Sequence, residues 1–207
     1  MGHLIVIVGN SGVGKTTLAQ QLVHRGGFGT GFEQLGERPF QTLFAQNLAR
    51  QGELRYALAN QIDYLLLRAE QEWAIRQEAW PGIQAGGLEM DFFVFNRRFY
   101  EKGYLTAAEY QLCVRFYTLL RRLLPPPDLI IRLVAPLPVV AERYRRRNRP
   151  LEIAQLDDLA ELETALDEWL STVTTTPVLV VDASIDDPAY QRDLDRILTK
   201  IAALPAR

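Results

Sequence analysis

Gly9-Asn10-Ser11-Gly12-Val13-Gly14-Lys15-Thr16-Thr17 fits the pattern G-x-x-x-x-G-K-[ST], and what flanks it decides how the chain folds. It follows an apolar run, Leu4-Ile5-Val6-Ile7-Val8, and precedes Leu18-Ala19-Gln20-Gln21-Leu22-Val23, which reads as a helix. Strand, glycine loop, helix is the setting in which this pattern holds phosphates. Glycines let the backbone curl so that successive N–H groups point at phosphate oxygens, and the helix start adds a partial positive charge. Residues Gly9 through Thr17 are expected to wrap a nucleotide's phosphates, Lys15 to reach the outer ones and the Thr16 hydroxyl to ligate Mg²⁺.

Outward from the loop, strands and helices alternate. After the first helix a Gly-rich link, residues 26–32, forms a second strand expected beside the first and leads to Glu33. Helices follow over 39–51 and about 54–79, the second with Leu58, Ile62, Leu65, Leu66 and Ala69 at helical spacing. Ile83-Gln84-Ala85 reads as a short strand, and Gly103 divides helices at about 88–102 and 106–124. Pro125-Pro126-Pro127 punctuates the chain before the strand Leu129–Val134, which Asp128 opens at the end away from the phosphates, a place for a structural turn. Helices over 137–147 and 155–173, a strand at Val178–Val181 and a helix over 187–203 complete the chain. The alternation predicts an α/β fold, a parallel sheet covered by helices on both faces, in one domain spanning residues 1–207.

Composition narrows the partners. With 207 residues and a net charge of −2, neither long nucleic-acid tracts nor anionic membranes are expected to bind. The single cysteine, Cys113, excludes an intramolecular disulfide and reads as a small core or interface residue. His3 and His24 form no metal-ligand cluster. No secretory signal and no apolar run of membrane-spanning length is evident, so the expectation is a soluble, cytoplasmic protein.

Three constellations surround the loop. Glu33 is either an ordinary solvated carboxylate or, placed at a strand's end near the phosphates, the acceptor of a proton from an attacking hydroxyl. Arg143-Tyr144-Arg145-Arg146-Arg147-Asn148-Arg149 holds five arginines in seven residues. A helix end favours cations through its dipole, but this excess better suits a basic lid, about 143–152, that closes on a triphosphate and stabilises the transferring group. Glu152 stands where such a lid also touches the second substrate. Asp91 and Phe95 share a helix face and could bond and stack on an amino-bearing base, although spacing alone favours an ordinary amphipathic helix with Phe95 in the core. Gln61 and Arg68 similarly share a face of the long helix.

These residues together resemble the deoxynucleoside kinase family over most of the chain. Gly9–Thr17 is similar to its phosphate loop, and Glu33 with Arg38-Pro39-Phe40 looks like its general base with a downstream turn. Arg55–Gln61 resembles a segment ending in a base-reading Gln, and Asp91–Phe95 with Phe99–Tyr104 a helix supplying a base-reading Asp and a stacking Phe. Residues 127–131 and 142–152 are similar to the following strand, helix and arginine lid. The resemblance implies a three-layer P-loop kinase fold with a five-stranded parallel sheet, ATP and Mg²⁺ as cofactors, and a homodimer. It implies Arg147 and Arg149 as phosphate ligands, Gln61, Asp91 and Phe95 as base contacts, and Glu152 on the sugar 3′-hydroxyl; Arg143, at the start of the run, is expected to bind the cofactor.

The chain departs from the family in one motif. Where Asp/Glu-Arg-Ser follows the third strand, here stands Ala85-Gly86-Gly87, which offers neither a metal ligand nor an arginine to orient the general base and the base-reading Asp. Glu89 is the nearby candidate to replace the acid. The family's sugar-contacting Tyr is absent between Gln34 and Arg55. The expected activity is ATP-dependent phosphorylation of a nucleoside 5′-hydroxyl. The alternatives are a kinase for another small acceptor, in a pocket widened by Gly86-Gly87, and an impaired nucleotide-binding or sensing module.

Overall fold

The computed structural model describes residues 2–31, 38–49, 55–147 and 154–205. A five-stranded sheet has the order β2-β3-β1-β4-β5, with every pairing parallel. Its strands are β1 (Leu4–Val8), β2 (Gly29–Gly31), β3 (Gly82–Ala85), β4 (Leu129–Val134) and β5 (Val178–Asp182).

All five residues of β1 are buried because both faces of the sheet are covered, which is why the strand reads as an unbroken apolar run. Alternate side chains go to opposite faces. Ile5 and Ile7 pack with Leu18 and Leu22 of α1 (Lys15–His24), Val140 of α7 (Leu137–Arg147) and Ile197 of α9 (Leu194–Ala202). Leu4, Val6 and Val8 pack with Ile75 of α3 (Ala57–Gln77), the helix after α2 (Pro39–Ala49), and with Leu162, Leu166 and Trp169 of α8 (Leu159–Ser171). Cys113, on α6 (Ala107–Leu123), is buried in a further cluster between α3 and α6, and burial pushes its thiol up to about 11.

Three expectations are corrected. The second strand does not lie beside the first: β3 sits between them, pairing Leu4 with Gly82 on one side and Gly29 on the other. The last helix begins at Leu194, not near 187, because Asp186-Asp187-Pro188 favours a turn and proline restrains the residue before it. The helix after β3 is also not uniform. A turn of α4 (Leu88–Met90) passes into a π-helical stretch, Asp91–Asn96, and then into α5 (Arg97–Glu101).

Asp128 does its work at the amino end of the sheet. Its Oδ2 accepts from the Leu4 N–H at 2.8 Å and meets Arg76 Nη1 at 3.4 Å, so it ties β1, β4 and α3 together, far along the strands from the phosphate loop. The sheet reverses its winding at β1, and the loop Gly9–Gly14 leaves that strand's carboxyl end at this switch point.

Candidate active site

The loop is shaped by its glycines and pinned by its neighbours. Gly14 has φ 114° and caps α1, and the space where its Cβ would stand is taken by the Tyr190 hydroxyl. Asn10 fixes the other end: its Nδ2 donates to the Leu159 carbonyl at 2.7 Å and to Glu163 Oε2 at 2.9 Å, while its Oδ1 accepts from the Ser11 N–H at 2.9 Å. Lys15 Nζ donates to the carbonyls of Gly9 (2.8 Å) and Asn10 (2.9 Å). These bonds hold the ammonium over the loop, where phosphate oxygens can replace the carbonyls.

Two cavities open on either side of the head of α1. The first, about 150 Å³, brings together Gln61, Asp91 and Phe95 with Tyr64, Arg68 and Gly86. The second, about 430 Å³, runs along Gly12–Thr17 to Arg143, Arg146, Asp186 and Tyr190. Lys15, Thr16 and Arg147 line both. Three candidates chosen from two distant stretches of sequence thus face one space, and three others stand at its junction with the phosphate side.

The acceptor-side wall is organised by a buried ion pair. Arg68 Nε donates to Asp91 Oδ2 at 2.6 Å, and both side chains are nearly inaccessible. Arg68 Nη1 reaches Gln71 Oε1 at 3.3 Å; that oxygen also accepts from Gln84 Nε2 at 3.0 Å, and Gln84 Nε2 donates to the Arg68 carbonyl at 3.2 Å. A Cβ built on Gly86, whose φ is +93°, would meet Arg68 Nη2 at 2.7 Å. The space expected to stand open beside Gly86 is therefore filled by a guanidinium from α3. Gln61 is 2 % exposed, and its Oε1 has no hydrogen-bond partner among the described residues. A buried acceptor of this kind points to a ligand's donor.

Of the arginine run, Arg143 Nη1 donates to the Ala183 carbonyl at 2.6 Å, and Arg146 Nη2 meets Asp186 Oδ2 at 3.3 Å, tying α7 to the turn after β5. Glu33, Arg149 and Glu152 lie outside the described residues.

Glu89 does not replace the missing acid. One residue before Met90 and two before Asp91, both of which line the acceptor cavity, it is turned round the helix and packs against Arg121, with Nε at 3.1 Å, and beside Glu72. Burial pushes both carboxyls up, Glu72 to about 7, with the Glu89 charge as the second cause there and Arg121 pulling the other way.

The lining residues not singled out from sequence include Gln41, Tyr64 and Tyr190. Tyr64 stands one turn from Gln61 and Arg68, so the helical face that carries those two was the available signal. Arg38 fixes it, with the guanidinium 4.6 Å from the ring centroid. Nothing local marked Tyr190.

The family model described as "Deoxynucleoside kinase" matches residues 5–204. The chain is 24 % identical over 206 residues to the deoxyadenosine/deoxycytidine kinase of Bacillus subtilis (strain 168), covering 96 % of this chain and 93 % of that protein. It is 25 % identical over 207 residues to the deoxyguanosine kinase of the same organism, covering 97 % and 96 %. Deoxyadenosine kinase from M. mycoides with bound dATP superposes with a TM-score of 0.78 at 23 % identity, covering 96 % of this chain and 99 % of that one. The same enzyme with dCMP and a flexible dCDP bound also gives 0.78, at 22 % identity over 97 % and 99 %. Those superpositions show a shared fold; with the match along nearly the whole sequence, the chain belongs to the deoxynucleoside kinase family.

Proposed function

We propose that this chain transfers the terminal phosphoryl group of ATP to the 5′-hydroxyl of a deoxynucleoside with an amino-bearing base, deoxyadenosine or deoxycytidine. The observation that carries the reading is the meeting of the two cavities at Lys15, Thr16 and Arg147. A donor held along Gly12–Thr17 and an acceptor held by Gln61, Asp91 and Phe95 would face each other across those three residues. The relatives' named substrates are of the same kind.

In the proposed step the acceptor's 5′-oxygen attacks the γ-phosphorus and gives its proton to Glu33. The bond from that phosphorus to the β–γ bridging oxygen breaks, and the electron pair leaves with ADP. Lys15 and Arg147, joined by Arg149, stabilise the charge spread over the transferring oxygens, which is the main contribution a protein makes to this chemistry. Arg143 stands further along the donor side. Asp91, held by Arg68 as an acceptor of hydrogen bonds, selects an exocyclic amino group, Gln61 bonds the ring edge, Phe95 stacks, and Glu152 receives the sugar 3′-hydroxyl.

Mg²⁺ fits the donor side in part. Among the described residues shared by the two cavities, Thr16 alone offers an uncharged oxygen ligand, and Ala85 on the acceptor wall offers none. Such an ion commonly completes its shell with phosphate oxygens and water, and it would neutralise phosphate charge. We also infer a homodimer: α3 exposes Leu66 and Trp73, and α6 exposes Leu112, Leu119 and Leu123, an apolar face on two helices that pack together.

Incubation with ATP, Mg²⁺ and each deoxynucleoside tests the reading. ADP and a 5′-monophosphate should form in equal amounts, fastest from deoxyadenosine or deoxycytidine. No product at high enzyme concentration overturns it. Ala85 favours the second reading, an impaired sensing module, for which ATP and a nucleoside would raise the Tm without turnover. The reading as a kinase for a larger acceptor loses its motive, since Arg68 occupies the space beside Gly86.

A further inference from the structure

Tyr190 is one of two non-glycine residues among those described with a positive φ, at 50°. A left-handed backbone at a bulky residue is uncommon and persists only where its surroundings hold it. Several bonds hold this one. The Tyr190 N–H donates to the Asp187 carbonyl at 3.0 Å, and the Tyr190 carbonyl accepts from Asp193 (3.1 Å) and Leu194 (2.9 Å), so the residue joins the turn after β5 to the start of α9. The ring is 8 % exposed and packs in the core beside α1. Its hydroxyl donates to the Gly14 carbonyl at 3.2 Å.

That carbonyl is the first acceptor of α1, where it also receives the Leu18 N–H at 3.0 Å. Gly14 has no side chain to cap the helix, and its φ of 114° leaves the peptide's direction unset by local preference. The hydroxyl supplies both a donor for the orphan lone pair and a stop where a Cβ would stand. Tyr190 lines the donor cavity with Asp186, Asp187 and Pro188, so one turn shapes that wall and holds the head of the phosphate-binding helix.

We propose that Tyr190 is a positioning residue for the donor nucleotide: its hydroxyl fixes the Gly14 peptide, and through it the aim of the loop N–H groups at the phosphates. The inference deepens the donor half of the proposed function and requires only that the loop bind nucleotide phosphate. It gives the left-handed turn at Tyr190 a purpose beyond starting α9.

Two substitutions, singly and combined, and three measurements test it: ATP affinity by titration calorimetry, the kcat and KM for each substrate, and the Tm. Tyr190→Phe removes the hydroxyl and leaves the ring in the core. It should weaken ATP three- to tenfold, the loss expected from one partly buried hydrogen bond. The nucleoside KM should stay within twofold of the wild type. Gly14→Ala should weaken ATP further, and Tyr190→Phe should partly restore it, because the ring Cζ lies 3.7 Å from the added carbon and leaves it room. The backbone strain at position 14 is common to both backgrounds and cancels in that comparison. Wild-type ATP affinity in Tyr190→Phe overturns the proposal. So does an equal loss of ATP and nucleoside binding alongside a lowered Tm, the mark of a residue that only supports folding. A wild-type chain that binds ATP but phosphorylates no nucleoside overturns the proposed function while the calorimetric comparison still decides the role of Tyr190. A wild-type chain that binds no ATP overturns both.

Discussion

Replacing Glu72 by Gln should reverse part of the protein's response to pH. Glu72 is fully buried one turn beyond Arg68 on α3, against Arg121 of α6 and near Glu89 and Arg76. Its carboxyl rises from 4.5 to about 7, chiefly through burial and next through the Glu89 charge, against the pull of Arg121. A raised acid binds its proton more tightly in the folded state, so the unfolded chain holds fewer protons between pH 4.5 and 7. Stability is therefore fully present below pH 4.5 and falls as pH rises through 7. A shift of this size costs the native state on the order of 2–3 kcal/mol between pH 5 and pH 8. For a chain of this length that is a Tm difference of about 5–10 °C. Glutamine keeps the shape and a bond to Arg121 but carries no proton to lose. Urea or thermal unfolding at pH 5, 6, 7 and 8 should show Glu72→Gln matching the wild type at pH 5 and exceeding it at pH 8. Other groups titrate in both proteins, so the difference between them is the quantity to read. A difference that is constant across this range, or that grows toward acid, refutes the raised carboxyl assigned to Glu72.

Two further outcomes follow. Ala85→Asp adds a carboxylate to the wall that Thr16 shares, and kcat with Mg²⁺ should rise at least about tenfold, equivalent to about 1.4 kcal/mol, with the nucleoside KM little changed; an unchanged kcat would place the missing metal ligand elsewhere. Asp128→Asn weakens the tie between β1, β4 and α3 and should lower stability by about 1–3 kcal/mol in denaturant titration while leaving both substrate KM values within twofold, since Asp128 stands at the sheet's amino end.

What could be read along the chain was what short range determines. The apolar run Leu4–Val8, the glycine loop and the amphipathic face of α3 each declare themselves within a few residues, and they place Lys15, Thr16 and Gln61. Strand order was not legible, because the insertion of β3 between β1 and β2 is a choice among equivalent apolar edges made by the helices that cross over them. Asp91 and Phe95 could be paired but not placed. Spacing suggested an ordinary amphipathic helix, and the π-helical stretch and the turn at Gly86-Gly87 that aim both residues into one cavity are tertiary outcomes. Glu89 failed as a substitute for the same reason: two residues along a helix is a different face. Tyr190 is separated from Gly14 by 176 residues, and only folding brings them into contact.

The two departures from the family's motif are not equivalent, and the structure distinguishes them. An arginine can be replaced from a distance, because its side chain is long and its planar head needs only to reach a carboxylate. On the proposed reading Arg68 takes that part from α3: it meets Asp91 beside bare Gly86, and Gln71 and Gln84 steady its path. A metal ligand cannot be replaced so easily, since it must stand about 2 Å from the ion in an octahedral shell. Ala85 contributes no oxygen from its side chain, and the acceptor-cavity carboxylate among the described residues, Asp91, is bonded to Arg68. On the proposed reading, the acceptor half of the site is therefore rebuilt and the donor half is thinned. Such an enzyme should bind nucleosides well and transfer phosphoryl slowly, so its deficit should appear in kcat and in the Mg²⁺ concentration required, not in the nucleoside KM. A wild-type chain with a low kcat that Ala85→Asp raises would meet that description; a chain with weak nucleoside binding and fast turnover at saturation would show that Arg68 has not taken over the arginine's place.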